Sequence, residues 1–316
     1  RLEKLESLVK PERVMPATVE IVDIAGLVKG ASKGEGLGNQ FLGNIRECNA
    51  IIHVLRCFEN DNIVHVDGSV DPIRDKETID IELQLKDLET VEKRLEKVTR
   101  AAKAGDKKAA KEMDLLNRVK EALLTGVSAR AVQISDEEKE LLDSFQLLTT
   151  KPVLYVCNVD EKSAKNGNAY VEQVKDAVKG EDAEVIVLAV ATEADITELE
   201  SYEERQMFLE DIGLEEPGAS KLIRAAYHLL NLQTYFTAGV KEVRAWTIHQ
   251  GDTAPQAAGV IHTDFEKGFI RAEVIAYNDF ITYGSEAKVK EAGKMRVEGK
   301  EYIVKDGDIM HFRFNV

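Results

Sequence analysis

The four residues Asp23–Gly26, read as Asp-Ile-Ala-Gly, have the types and the spacing for phosphate and metal chemistry. They follow Thr18–Val22, a mostly apolar, β-branched run that predicts a buried strand. Open α/β sheets bind their ligands at the carboxyl ends of such strands. There the Asp23 carboxylate can hold Mg²⁺ through its water shell, and the Gly26 N–H can face a terminal phosphate. The next residue is Leu27, whose side chain cannot hydrogen-bond and therefore cannot orient an attacking water.

The segment from Asp23 to Gly38 is rich in glycine. Glycine at this density supplies positions with positive φ and gives a mobile loop. A loop that a γ-phosphate orders and that hydrolysis releases needs such freedom. We interpret the segment as a nucleotide switch, because it contains Asp23–Gly26; an ordinary flexible surface loop is the alternative.

The sequence contains no G-x-x-x-x-G-K-[ST] motif, the loop that cradles phosphates in P-loop NTPases. The chain begins at Arg1 rather than at a methionine. We expect the native protein to continue upstream through a first strand, a P-loop, a helix and a switch segment. The alternative is a degenerate NTPase that does not bind phosphate.

A second motif, Asn158–Glu161, follows the apolar run Val153–Cys157. GTPases carry [NT]-K-x-D here, and its aspartate accepts hydrogen bonds from guanine. This chain has Val159 at the lysine position and Glu161 at the aspartate position, a poor fit to guanine that would cost about 1–3 kcal/mol. Asn158 and backbone groups around Val159 could instead meet the 6-amino group and N1 of adenine. The motif therefore favours ATP over GTP, unless Asn158 only buttresses the phosphate loop.

Two weaker candidates complete the predicted site. Ala189, Val190 and Ala191 end the next predicted strand, where GTPases place a small loop whose backbone touches the base. His65 lies in a loop after the strand that ends at Cys57, and it could orient water in place of Leu27. The alternatives are a structural histidine, and water oriented by a partner or by K⁺.

The elements that must position these residues form three blocks. Residues 1–74 and 149–231 alternate strands and helices, which predicts a doubly wound, mostly parallel α/β sheet. Residues 75–148 carry apolar side chains every three or four positions, which predicts an inserted, coiled-coil-like helical hairpin with a turn at Gly105-Asp106. Residues 232–316 predict a compact α+β module with a grasp-like sheet. The predicted strands are Thr18–Val22, Ala50–Cys57, Val153–Cys157, Val185–Ala189, Lys241–Ile248, Phe269–Ala276, Tyr302–Val304 and Met310–Phe314. The predicted helices outside the hairpin are Gly38–Cys48, Ala169–Val178, Tyr202–Leu209, Ser220–Leu230 and Gln256–Val260.

Charge and composition limit the partners. The net charge of −15 opposes general affinity for nucleic acid, and we predict no DNA binding. Lys93–Lys111, however, holds eight basic and two acidic residues. A solvated helix face with i,i+4 ion pairs is the favoured interpretation, and an RNA- or ribosome-facing tip is the alternative. No apolar run approaches the roughly 18 residues that span a bilayer, and nothing resembles a signal peptide. The three cysteines predict reduced thiols rather than disulfides or zinc ligands.

Long runs of the sequence closely resemble the YchF subfamily of the Obg-related NTPases, the Obg-like ATPases. The resemblance covers essentially the whole chain. The runs that carry it are Pro11–Leu42, Asn44–Glu47, Arg56–Glu59, Asn231–Thr247, His262–Glu273 and Asp306–Val316.

The resemblance implies a P-loop NTPase G domain (residues 1–74 and 149–231), a coiled-coil insertion (75–148) and a C-terminal TGS domain (232–316). It implies a preference for ATP through an N-x-x-E motif, which Asn158 and Glu161 match, and a hydrophobic residue in place of the catalytic glutamine, which Leu27 matches. His65 aligns with the family's proposed water-orienting histidine. Family members are cytosolic, slow, Mg²⁺-dependent hydrolases that associate with ribosomes and are tied to translation and stress responses.

The sequence thus predicts a slow ATP-hydrolysing switch whose nucleotide state gates a ribosome-facing surface. RNA contact is predicted through Lys93–Lys111 and the TGS domain. Without the P-loop, this chain by itself is expected to bind nucleotide poorly and to be inactive. Two alternatives remain: a non-catalytic, translation-associated binding module that acts through the TGS domain and hairpin, and a conventional GTPase.

Overall fold

The computed structural model describes residues 1–24, 38–181 and 183–315, with the backbone alone for residues 38–41 and 202. Gly26, Leu27 and most of the glycine-rich loop therefore lie outside the described residues. The described helices are α1 (Leu2–Val9), α2 (Gly38–Glu47), α3 (Pro72–Lys103), α4 (Lys107–Leu124), α5 (Asp136–Asp143), α6 (Ala169–Ala177), α7 (Val190–Glu198), α8 (Tyr202–Asp211), α9 (Gly218–Leu229), α10 (Ala254–Ile261), α11 (Thr263–Lys267), α12 (Tyr277–Tyr283) and α13 (Glu286–Glu291). The described strands are β1 (Arg13–Met15), β2 (Ile51–Arg56), β3 (Val153–Asn158), β4 (Glu184–Leu188), β5 (Leu232–Ala238), β6 (Glu242–His249), β7 (Phe269–Ile275), β8 (Arg296–Glu298) and β9 (Ile309–Phe314).

The chain forms two compact units, one made of Arg1–Ile21 with Leu230–Val316 and one made of Val22–Leu229. The first 21 residues thus pack with the C-terminal module, whereas the sequence placed them in the first domain. Leu5 of α1 is fully buried there among apolar residues that include Phe236 and Phe280. The division of the whole chain into three domains stays a prediction.

A three-stranded parallel sheet, in the order β2-β3-β4, organises the unit Val22–Leu229. The central strand β3 is covered on both faces: Tyr155 and Cys157 pack with residues of α6, and Leu154 and Val156 pack with Ala225 of α9. A strand buried on both faces explains its continuous apolar sequence. The strands expected near residues 50, 153 and 185 are confirmed. Their carboxyl ends meet at one edge of the sheet, because all three strands run in the same direction.

The predicted strand Thr18–Val22 is wrong. Residues 16–24 have no regular secondary structure, and the side chains of Ile21 and Val22 are 56% and 49% exposed. Instead, Arg13–Met15 forms β1 and pairs in parallel with β6 of the other sheet. A β-branched run forms a strand only where a neighbouring strand supplies hydrogen-bond partners, and no described strand pairs with residues 18–22.

The predicted helical hairpin is confirmed as α3 and α4, which share a core that includes Val91, Leu115 and Val119. The connection contains Gly105, whose φ of 95° favours glycine. Asp71 caps α3 and Asp106 caps α4, because each carboxylate accepts hydrogen bonds from two amides of the first turn. The turn between α3 and α4 therefore lies where the sequence predicted it. Helix α3 begins at Pro72, earlier than its apolar repeat suggests.

The C-terminal module has a six-stranded mixed sheet in the order β1-β6-β5-β9-β7-β8. Helices cover both faces: α10 packs on one core, and α1, α12 and α13 pack on the other. The strands expected near residues 241, 269 and 310 are confirmed as β6, β7 and β9. Tyr302–Val304 is not a strand: only Ile303 forms a single bridge, to Thr253, because the segment is a short connection between turns. Strands β1, β5 and β8 and helices α1, α11, α12 and α13 of this module were not predicted.

Across residues 1–24, 38–181 and 183–315, the structure contains no helix with the length and apolarity needed to span a bilayer.

Candidate functional site

Three chain segments leave the carboxyl edge of the parallel sheet side by side. The backbone N–H of Cys57 donates to the Asn158 carbonyl at 2.8 Å, and the N–H of Val159 donates to the Leu188 carbonyl at 2.9 Å. These bonds continue the sheet by one residue beyond β2 and beyond β3. They place the predicted base-site residues on neighbouring segments, as the sequence required.

Asn158, the last residue of β3, fixes the start of α7. Its Oδ1 accepts a hydrogen bond from the N–H of Val190 at 3.1 Å. This bond caps the helix in place of Ala189, whose side chain has no polar atom. The structure thus brings Asn158, Ala189 and Val190 together. With Oδ1 used in this way, the Asn158 amide nitrogen is the group that can donate to a base.

A helix, rather than the expected small loop, follows Ala189. The run from Ala189 to Ala194 is compatible with a helix because it lacks glycine and proline and contains three alanines. The helix N-terminus begins at the sheet edge, with Val190 44% exposed. Any backbone contact from this segment to a base would therefore come from the first turn of α7.

Val159 and Glu161 lie in different environments. The side chain of Val159 is only 3% exposed and packs in the sheet core, and its N–H is used by Leu188. Of its two backbone groups, only the carbonyl can serve a base. Glu161 is exposed and opens a single 3₁₀ turn that Asp160 caps through a hydrogen bond from Ser163 N–H at 3.2 Å.

Asp23 is exposed, in a segment without regular secondary structure. Its neighbour Ile24 packs against an apolar cluster formed by α2, α3 and Leu148, which anchors this stretch of chain. A single exposed carboxylate suits a contact to Mg²⁺ through water better than direct coordination by a protein cage. Gly26 and Leu27 lie outside the described residues, so their predicted roles stay predictions.

Arg56 organises the loop that carries His65. Its guanidinium donates to the carbonyls of Phe58, Asn60 and Ile63 at 3.1, 3.2 and 2.9 Å. One side chain at the end of β2 therefore fixes the path of the loop. Sequence reasoning missed this role, although an arginine that ends an apolar strand was a usable signal.

His65 is mostly enclosed, with its side chain 16% exposed. Its Nε2 lies 2.9 Å from Asp75 Oδ2, and its Nδ1 accepts the backbone N–H of Asp67 at 3.1 Å. The other oxygen of Asp75 accepts from Arg74 Nε and Nη2 at 3.1 and 2.9 Å. The structure pairs His65 with Asp75 rather than with any predicted site residue that it describes. Asp75 was missed, since nothing in the sequence spacing links it to His65.

The side chains of His65, Asp67 and Asp75 lie close enough to suggest a metal site, with candidate ligand atoms within 4.8 Å of one another. The arrangement does not fit a cation. The Arg74 guanidinium binds Asp75 and lies 3.9 Å from Asp67 Oδ2, so a fixed positive charge already occupies the carboxylates.

Comparison with known proteins decides the family. The chain is 58% identical, over all 316 residues, to the ribosome-binding ATPase YchF of Escherichia coli O157:H7, and it covers 86% of that protein. It is 54% identical to the protein of the same name from Bacillus subtilis strain 168, over 318 aligned residues that span 100% of this chain and 87% of that protein. The chain belongs to the YchF family.

The solved structure of the YchF GTPase from Schizosaccharomyces pombe matches with a TM-score of 0.87 and 39% identity, over 99% of this chain and 84% of that one. Family models match residues 7–93, described as a 50S ribosome-binding GTPase, and residues 232–315, the C-terminal domain of YchF GTPases, described as a protein of unknown function. These matches confirm the predicted family and the predicted P-loop NTPase fold. The names of the YchF relatives describe nucleotide hydrolases, but they differ on whether the nucleotide is ATP or GTP.

Proposed function

We propose that this protein is a ribosome-associated nucleotide switch that binds ATP and hydrolyses it slowly to ADP. The base site carries the proposal. Guanine recognition in GTPases uses a lysine stem over the base and an aspartate beside it. Here Val159 packs into the core, and Glu161 is exposed on a separate turn. Adenine, by contrast, can accept at N1 from the Asn158 amide and donate its 6-amino group to the Val159 carbonyl.

The proposed catalytic roles follow from the sequence motifs. Gly26 senses the γ-phosphate, and Leu27 leaves the attacking water without a partner. His65 supplies that partner, since it lies on a loop that leaves the same sheet edge as the base site. Asp23 would hold Mg²⁺ through water, and the bound ion would neutralise phosphate charge. K⁺ is a further candidate cation. In P-loop NTPases the principal Mg²⁺ ligands include a residue of the P-loop, a motif that this sequence does not contain.

The ribosome is the proposed partner, by analogy with the ribosome-binding ATPases to which the chain is similar. The tip of the helical hairpin, Lys93–Lys111, is the proposed contact. Three of its eight basic residues form ion pairs: Lys93 with Glu89, Arg94 with Glu112 and Lys111 with Glu137. The other five are exposed around the turn and are Lys97, Arg100, Lys103, Lys107 and Lys108. A cluster of exposed cations on an acidic protein suits the phosphates of ribosomal RNA. A second RNA contact through the C-terminal module, and a cytoplasmic location, belong to the same proposal.

Turnover tests the proposal. Phosphate release from ATP and from GTP is measured with full-length protein, wild type and His65→Ala, together with the dissociation constant of each nucleotide. We expect ATP to be the better substrate and His65→Ala to lower its turnover about 100-fold or more with binding intact. Turnover that His65→Ala leaves unchanged would favour the non-catalytic binding module, and faster turnover of GTP would favour a conventional GTPase.

A further inference from the structure

The hydrogen bonds of His65 fix which of its ring nitrogens carries the proton. A backbone N–H can only donate, so the Asp67 amide, 3.1 Å away, requires a lone pair on Nδ1. In the neutral ring the proton must then lie on Nε2. That nitrogen is 2.9 Å from Asp75 Oδ2, which accepts the hydrogen bond. Asp75 and the Asp67 amide therefore both favour the Nε2–H tautomer of His65.

Asp75 is itself held firmly. It lies in the first turns of α3, whose start is capped by Asp71. Its second oxygen accepts two hydrogen bonds from Arg74, and the same guanidinium donates to the hydroxyl and the carbonyl of Ser69 at 3.0 and 2.7 Å. A carboxylate fixed on a long helix can orient a histidine that lies on a loop, as a catalytic triad aspartate orients its histidine.

We propose that Asp75 is a positioning residue for nucleotide hydrolysis, which holds His65 as the Nε2–H tautomer so that Nδ1 faces the attacking water. The proposal rests on the proposed role of His65. The water oxygen bonds to the γ-phosphorus, while the bond from that phosphorus to the bridging oxygen breaks and its electron pair leaves with ADP. The water proton passes to Nδ1 and is then returned to the phosphate product. Asp75 stabilises the imidazolium formed between these two transfers.

The bond that must give way to water is the weaker of the two that His65 makes. The Asp67 amide belongs to a local, exposed turn closed by a hydrogen bond from Gly68 N–H to the His65 carbonyl at 3.0 Å. It can turn toward solvent without moving α3. The bond to Asp75 is charge-assisted and is supported by Arg74, so it persists when Nδ1 accepts a water.

The first test compares kcat for ATP in full-length protein. We expect Asp75→Ala to lower kcat about 10-fold or more, within the range of general acid–base effects, and to change the dissociation constant of ATP less than about 2-fold. Asp75→Asn should behave similarly, because His65 and Arg74 bind different oxygens of Asp75 and the asparagine puts an NH₂ donor in place of one of them. Glu77→Ala is the matched control: it removes an exposed carboxylate two residues away on the same helix and should leave kcat unchanged. Circular dichroism and thermal melting verify that each variant is folded.

The second test separates positioning from a structural role. Because Asp75 acts through His65, Asp75→Ala should cause no further loss of kcat in a His65→Ala background. Nitrogen-15 NMR of the imidazole should show the Nε2–H tautomer in the wild type. The Nδ1–H tautomer should become detectable in Asp75→Ala, where only the weaker bond from the exposed Asp67 amide still favours Nε2–H.

Unchanged kcat in folded Asp75→Ala, or the same loss of kcat in the His65→Ala background as in the wild type, would overturn the inference and leave the role of His65 intact. Unchanged kcat in His65→Ala would instead remove the proposed catalytic role, and this inference with it.

Discussion

The salt dependence of ribosome binding tests the proposed contact at the hairpin tip quantitatively. Each cation that neutralises an RNA phosphate releases about 0.7–0.9 of a counterion. Five exposed cations therefore predict a slope of about −3.5 to −4.5 in a plot of log affinity against log salt concentration. Between about 50 and about 200 mM KCl, this slope weakens binding about 100- to 500-fold.

Replacing Lys103 and Lys107 with glutamine should reduce the magnitude of that slope by about 1.4–1.8. Both residues are exposed beside the turn, and glutamine keeps a high helix propensity, so the hairpin should stay folded. The control is Lys139→Gln with Lys179→Gln, which removes the same charge from exposed positions outside Lys93–Lys111. Affinity is measured by titrating purified ribosomes at several KCl concentrations.

A tip that binds RNA phosphates requires the slope to change in the tip variant and not in the control. Equal changes in the two variants would show that only net charge matters. A slope that stays constant in the tip variant would show that these lysines do not contact RNA, and the basic stretch would then be a solvated helix face.

Two further predictions concern buried groups of the unit Val22–Leu229. Asp87 is fully buried, and its carboxylate accepts hydrogen bonds from the N–H groups of Leu148 and Thr149 and from the Thr149 hydroxyl. Asp87→Ala should therefore lower the free energy of unfolding by about 3–5 kcal/mol, and Asp87→Asn should lower it less. Urea unfolding measures this loss, and a loss under about 1 kcal/mol would contradict the assignment. Burial alone would raise the pKa of Glu181, but hydrogen bonds, first of all from Lys76, lower it below its usual value of 4.5. The ionised Glu181 carboxylate stabilises the fold above that pH, and this contribution is lost as the pH falls below it. Glu181→Gln should therefore flatten the acid side of the plot of unfolding free energy against pH. An unchanged acid side would refute this.

The sequence allowed prediction of the elements whose pattern depends only on burial. The continuous apolar run of β3 predicted a strand, and the repeat of three and four residues predicted α3 and α4. Strand β5 escaped because Tyr235 and Phe236 are consecutive, both buried and on opposite faces, so no alternation marks it. Thr18–Val22 failed for the reverse reason, since its composition favours a strand but no described strand pairs with it.

The candidate site was predictable where it depends on position at a strand end. Asn158 and Val190 lie together because parallel strands end at the same edge. The pairing of His65 with Asp75 was not predictable, because it depends on the path that Arg56 imposes on a loop. The sequence likewise did not show that a helix, α7, rather than a small loop follows Ala189. The start of that helix depends on the hydrogen bond from Val190 N–H to Asn158, which lies on another strand.

The central claim is that the base site prefers adenine, and a competition titration of ATP against GTP on full-length protein tests it most directly. We expect ATP to bind more tightly and to lose that advantage in Asn158→Ala, which removes the amide proposed to donate to the base. The amide supplies one hydrogen bond, so the expected loss is about 0.5–1.5 kcal/mol, or roughly 2- to 13-fold in affinity. Tighter binding of GTP, or an ATP preference that survives in Asn158→Ala, would contradict the account.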